Sequence, residues 1–144
     1  LDRVDAATVA SPNEATVLYV EDNLANVRLL EQVLERRPGT RLLSALQASI
    51  GLELATQHRP DLVLLDVHLP DLGGDVVLQR LKAEPATSAV PVVVVSADAT
   101  AGQMRRFAAL GADDYLTKPL DIVELLEVLD RHLRRRAAPR RSDG

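Results

Sequence analysis

The 144-residue chain contains no cysteine and no tryptophan. Without cysteine there is no disulfide framework, zinc-thiolate site, iron-sulfur cluster or thiol nucleophile, so thiol redox chemistry is excluded. Aromatic residues are scarce: Tyr19, Phe107 and Tyr115 are all there are, too few for a surface on which single-stranded bases stack. Long apolar runs are missing too. The longest, such as Val92 to Val95, fall far short of the roughly 20 residues that span a bilayer, and the polar opening Leu1-Asp2-Arg3 does not read as a signal peptide. The expectation is a cytoplasmic protein with no membrane contact of its own.

What is present suits one soluble domain. The apolar fraction is 47% and the net charge is -4, from 17 Lys and Arg against 21 Asp and Glu. A chain of this length buries about two-thirds of its unfolded surface in a single core. The charge is divided: residues 131–144 hold six Arg and one Asp, a net +5, which leaves -9 on residues 1–130. A basic tail can serve nucleic acid or an anionic membrane, but Arg near a helix C-terminus also suits the macrodipole. With Ala137, Ala138 and Pro139 interrupting it, the tail reads as a solvated end, and no nucleic-acid partner is expected. A chain opening on Leu1 rather than Met is expected to be a piece of a longer polypeptide.

Residues 1–15 lack periodicity and read as a linker or disordered arm, residues 16–133 as the folded domain, and residues 134–144 as the basic tail. Thr16 to Val20 is a short apolar run ending at Glu21-Asp22, which predicts a buried strand. Asn23 is an N-cap candidate for a helix carrying Val27, Leu30, Val33 and Leu34, stopped by Pro38-Gly39. The unit then recurs. Strands are predicted at Arg41 to Ala45, Asp61 to Leu65, Pro91 to Val95 and Asp114 to Leu116. Between and after them come helices with Ile50, Leu52, Leu54 and Ala55; with Val76, Val77 and Leu81; at Ala99 to Leu110; and at Leu120 to Leu133, where Ile122, Leu125, Leu126 and Leu129 share a face. Continuous apolar strands alternating with helices predict an α/β fold, a doubly wound five-stranded parallel sheet covered on both faces. Its ligands are expected beyond the carboxyl ends of the strands.

The polar residues at those ends are Glu21 and Asp22, then Asp66, Ser96 and Lys118. In the strand order 2-1-3-4-5 the three acids converge, with Ser96 and Lys118 beside them. Carboxylates in a polar cleft suit Mg2+, a hard cation that takes oxygen ligands. An Asp beside the metal can act as a nucleophile and form an aspartyl phosphate, and a Lys and a hydroxyl can meet the charge on the phosphoryl oxygens. Taken singly, each residue also has a bland reading. Glu21, Asp22 and Asn23 could cap a helix, Asp66 and Ser96 could form turns, and Lys118 could be a solvated charge. Their gathering at one edge of one sheet is what favours chemistry.

The motifs V-L-Y-V-E-D-N, D-L-V-L-L-D-V-H-L-P-D-L-G-G, V-V-V-V-S-A and G-A-D-D-Y-L-T-K-P-L resemble those of response-regulator receiver domains in two-component phosphorelays, over Thr16 to Leu133. The resemblance implies a flavodoxin-like receiver fold with five helices, and a phosphoprotein rather than a free enzyme. Asp66 would accept a phosphoryl group from a phosphohistidine and release it in self-catalysed reactions. Glu21, Asp22, Asp66 and the backbone carbonyl of His68 would hold Mg2+, and Lys118 would pair with the phosphoryl oxygens. Ser96 and Tyr115 would be the switch pair, read out on the helix 4, strand 5 and helix 5 face, and the Lys118-Pro119 bond would be cis. The implied partner is a histidine kinase or a histidine phosphotransfer domain. Asn23 and Asn26 further resemble receivers attached to hybrid histidine kinases, with a free-standing single-domain regulator as the alternative.

The chain departs from the commonest pattern by having Glu21 where many receivers have Asp; the extra methylene still lets it reach the metal, through water. His68 and Asp98 are candidates for tuning the phosphate lifetime, although a partly exposed loop imidazole is a competing reading of His68. Tyr115 could equally be a core aromatic. A phosphohydrolase using an Asp nucleophile fits less well, because such enzymes carry a second Asp where this chain has His68. A receiver-like module that is never phosphorylated is opposed by the intact Asp22, Asp66, Ser96 and Lys118. His58, His68 and His132 are too irregularly spaced for a zinc site, and Gly73-Gly74 lacks a phosphate-loop pattern. The apolar face of the last helix is already needed for the core, so it assigns no oligomeric state.

Overall fold

A computed structural model describes the backbone of residues 14–143 and the side chains of residues 14–133. The expected linker therefore falls, up to residue 13, outside the described residues, as do the side chains of the basic tail. Five strands, β1 (Ala15–Val20), β2 (Thr40–Ala45), β3 (Leu62–Asp66), β4 (Val92–Ser96) and β5 (Asp114–Thr117), alternate with five helices. These are α1 (Leu24–Leu34), α2 (Ala48–His58), α3 (Gly74–Ala83), α4 (Ala101–Ala109) and α5 (Ile122–Asp143). All strand pairs are parallel, in the order β2-β1-β3-β4-β5. The expected architecture and strand order are both present.

The apolar strands are continuous because helices cover both faces. Every residue of β3 and β4 is buried. Alternate residues feed opposite layers: Tyr19, Leu64 and Val95 pack with α1 and α5, whereas Leu18, Leu65 and Val94 pack with α2, α3 and α4. Burying one such Leu or Val stabilises the fold by about 1.5–3 kcal/mol. Together they fix the heights at which the strands end. The register sets Val20 against Leu65, Asp66 against Val95 and Ser96 against Thr117, so the polar residues that follow emerge side by side.

Helix α1 buries Val27, Leu30, Val33 and Leu34, the residues its spacing singled out, and the Asn23 side chain accepts from Ala25 N–H at 2.8 Å. Several boundaries differ from the sequence expectation. Ala15 belongs to β1, pairing with Thr40, and Asp66 and Ser96 are the last residues of their strands instead of the first beyond them. Helix α4 starts at Ala101, because Thr100 caps it by accepting from Gln103 N–H. Helix α5 runs on past Leu133 to Asp143. Ile50 and Ile122, placed in the apolar sets of their helices, are 43% and 45% exposed. Ile50 stands off the buried face that Ala48, Gly51 and Ala55 form on α2, and Ile122 is the first residue of α5.

Candidate functional site

Glu21 leaves β1 directly into the interior: its residue is fully buried. A buried carboxylate is tolerated only if its oxygens are bonded, and here four donors meet it. Oε1 accepts from the Tyr19 hydroxyl at 3.0 Å and from Asn26 Nδ2 at 3.2 Å, and pairs with Lys118 Nζ at 3.0 Å. Oε2 accepts from the Asn23 N–H at 3.1 Å. Burial alone would favour the neutral acid, but Lys118 and the Asn23 amide together outweigh it and hold Glu21 below the usual glutamate range.

Asp66 is 2% exposed at the end of β3. Its Oδ1 accepts from the His68 N–H at 3.1 Å, and Oδ2 lies 3.4 Å from Lys118 Nζ. Burial, and secondarily the Glu21 charge, raise its pKa against the opposing His68 amide and Lys118. Lys118 is fixed from behind, its N–H donating to the Ser96 carbonyl at 2.9 Å, and the Lys118-Pro119 peptide is cis. Burial disfavours its ammonium, yet the Glu21 and Asp66 carboxylates carry its pKa above the ordinary lysine value.

Asp22 is exposed, and one carboxylate oxygen each from Glu21, Asp22 and Asp66 can be found within 4.8 Å of one another. Among the described residues this is the only group of three or more His, Cys, Asp or Glu side chains so placed. Glu21 and Asp66 share the Lys118 ammonium, and Asp22 adds a third carboxylate, which leaves negative charge for a hard divalent cation to compensate. The donor set therefore fits Mg2+.

The remaining candidates stand at the β4 side of the cleft. Ser96 is fully buried, and its Oγ accepts from the Asp98 N–H at 3.0 Å. Tyr115 is half-buried, with its ring centroid 6.4 Å from that of Phe107 and its hydroxyl donating to the Asp98 carbonyl at 2.6 Å. Ser96 and Tyr115 thus grip the two faces of one residue's backbone. The Asp98 carboxylate is exposed and accepts from Thr100 N–H at 2.9 Å, which, with a smaller contribution from the charge of His68, lowers its pKa. His68 is exposed. Glu21, Asp22, Asp66 and Lys118 are brought together, while Asp98 and His68 face solvent beside them.

Three comparisons bear on this arrangement. Residues 17–130 match the family model of the response regulator receiver domain. The chain belongs to that family. Among its receiver relatives, the polar-differentiation response regulator DivK of Brucella anthropi is 32% identical over 118 residues, covering 82% of this chain and 95% of DivK. Similar solved structures include a response regulator from Chloroflexus aurantiacus, with TM-score 0.77 and 28% identity over 83% of this chain and 98% of that one. Another is the receiver domain of a sensor histidine kinase from Pseudomonas aeruginosa, with TM-score 0.74 and 30% identity over 83% and 98%. That receiver has a magnesium ion coordinated in its active site cleft. This chain is accordingly a two-component signalling receiver with an acidic cleft. No helix among its described residues is long and apolar enough to cross a membrane.

Sequence reasoning missed two side chains that bond the buried Glu21 carboxylate. Tyr19 reads as one more core residue of an apolar strand, and Asn26 as a mark of subgroup. The available signal was spacing: residues 19 and 21 point to the same side of a strand.

Proposed function

We propose that the chain is a phosphoacceptor that takes a phosphoryl group from a phosphohistidine onto Asp66. The carrying observation is Lys118 Nζ set between the buried Glu21 and Asp66 carboxylates, at 3.0 and 3.4 Å, in a cluster that fits Mg2+. A carboxylate oxygen of Asp66 attacks phosphorus. The new P–O bond forms as the P–N bond breaks, and the electron pair leaves on the imidazole nitrogen, which takes up a proton. Glu21, Asp22, Asp66 and the His68 carbonyl would hold Mg2+, which when bound supplies positive charge for the phosphoryl oxygens. Lys118 turns from Asp66 to those oxygens. Ser96 turns its hydroxyl to them, giving up its bond from Asp98 and so disturbing the residue that anchors Tyr115. That couples the phosphorylation site to the α4-β5-α5 face.

The residues are a switch with self-catalysed gain and loss of phosphate, and His68 and Asp98 at the mouth of the cleft tune the loss. The working unit is residues 16–133, cytoplasmic, with a histidine kinase or histidine phosphotransfer domain as partner. The Pseudomonas receiver supports membership in a hybrid histidine kinase, and DivK supports a single-domain regulator as the alternative. Intact-mass spectrometry after incubation with Mg2+ and acetyl phosphate tests the central step. A phosphate adduct is expected on this chain and not on Asp66→Asn; an adduct on both, or on neither, overturns the assignment.

A further inference from the structure

Glu21 has an unequal load on its two oxygens. Oε1 meets Tyr19 Oη, Asn26 Nδ2 and Lys118 Nζ, whereas Oε2 meets the Asn23 N–H alone. A carboxylate oxygen offers about two lone-pair positions, so Oε1 has no capacity left for a cation and Oε2 has one. We propose that Tyr19 and Asn26 are positioning residues of the Mg2+ site, holding Oε1 inward so that the longer Glu21 side chain presents Oε2 to the metal cleft.

The two residues suit that task differently. Tyr19 is fully buried in β1 and packed between sheet and α1, so its hydroxyl is a fixed point. Asn26 is half-buried in the first turn of α1, and reaches the same oxygen from the opposite element. A glutamate has one more torsion to immobilise than an aspartate, and two donors from strand and helix immobilise it before metal arrives. Neither residue touches the cation. Each acts through Glu21, as outer-shell partners orient metal ligands elsewhere.

This inference rests on the Mg2+ reading above and deepens it. The test is the dissociation constant for Mg2+, measured by calorimetry on the full chain, on Tyr19→Phe, and on both in a Glu21→Asp background. The unfolding midpoint of each variant is measured alongside. Tyr19→Phe is expected to weaken Mg2+ by about tenfold, the lower end for loss of an outer-shell partner. In the Glu21→Asp background it is expected to do nothing, because a carboxylate withdrawn by about one C–C bond, roughly 1.5 Å, no longer reaches the hydroxyl. Asn26→Ala, on a half-exposed position, carries the same test should the buried substitution impair folding. An equal loss in both backgrounds, or unchanged affinity in Tyr19→Phe and Asn26→Ala, overturns the proposal while leaving the Mg2+ site intact. A chain that binds no Mg2+ at all overturns both.

Discussion

The two sides of the cleft are built on different terms. On the β1 side, buried Glu21 and Asp66 share Lys118, and Glu21 alone takes four donors drawn from β1, the N-cap and first turn of α1, and the loop after β5. On the β4 side, the Ser96 and Tyr115 side chains each make one hydrogen bond among the described contacts, and both go to the backbone of exposed Asp98. Bonds in a buried network reinforce one another and are costly to lose singly, whereas an exposed bond such as that of Tyr115 is readily exchanged for water. The first arrangement suits a site that must hold its geometry while charge arrives. The second suits a latch.

Removing Lys118 should break the comparison most severely. Lys118→Ala leaves two buried carboxylates facing each other without a counter-charge, a change that costs about 3–5 kcal/mol where a buried pair is broken from one side. Urea unfolding without Mg2+ should show this loss, and saturating Mg2+ should restore part of it. A loss below about 1 kcal/mol, as for a surface ion pair, would mean that the β1 side is as loosely held as the β4 side.

Next in size is Asp66→Asn, which acts in the opposite direction. Burial and the Glu21 charge raise the Asp66 pKa, so the folded chain binds this proton more tightly than the unfolded one. Stability then declines as pH rises from the ordinary Asp value of 3.8 through the raised one. The amide removes that penalty. Without Mg2+ at neutral pH, Asp66→Asn should be more stable by about 1 kcal/mol, a few degrees in Tm, and should lose this part of the pH dependence. Glu21 has the reverse sign: its contribution is present above the ordinary value of 4.5 and disappears as pH falls through its lowered pKa. Adding Mg2+ should reverse the order, stabilising the parent more than the variant. Thermal unfolding with and without the ion reads all three effects.

The comparison also separates what the sequence made legible from what it did not. Strand ends were legible because apolar runs in a sheet buried on both faces have abrupt polar stops, and Val20-Glu21 and Leu65-Asp66 are two of them. The partners of those acids were not. Tyr19 is apolar by context, and only the folded β1 shows its hydroxyl pointing at the residue two places on. Non-local caps were hidden for another reason. Gln47 makes no side-chain cap to α2; Asp71, from the loop after β3, accepts instead from Ala48 and Ser49 N–H at 2.8 and 3.0 Å. Those amides hold its carboxyl down to about 2. A cap supplied from 23 positions away leaves no trace in the local pattern. Periodicity likewise identified the apolar face of α5 through Leu125 and Leu129, but it marks a direction and not an extent. Ile122 follows the period and still stands clear of the sheet.

The smallest expected effect tests the latch. Tyr115→Phe keeps the ring against Phe107 and removes one neutral, partly solvated bond to the Asp98 carbonyl, so stability should change by less than about 1 kcal/mol. Mg2+ affinity should not change, because no atom of Tyr115 bonds the acidic cluster among the described contacts. What should change is local opening. With one of its two anchors gone, the 97–100 segment should exchange its amide hydrogens faster, while those of β1 and β3 keep the protection set by global unfolding. Exchange measured residue by residue by NMR gives the answer. Acceleration confined to the β4 side would sharpen the division between a rigid acid corner and a yielding rim. Acceleration that spread to Glu21 and Asn23 would show that the two sides open as one unit, and that the weak bonds of the rim are not what lets it move.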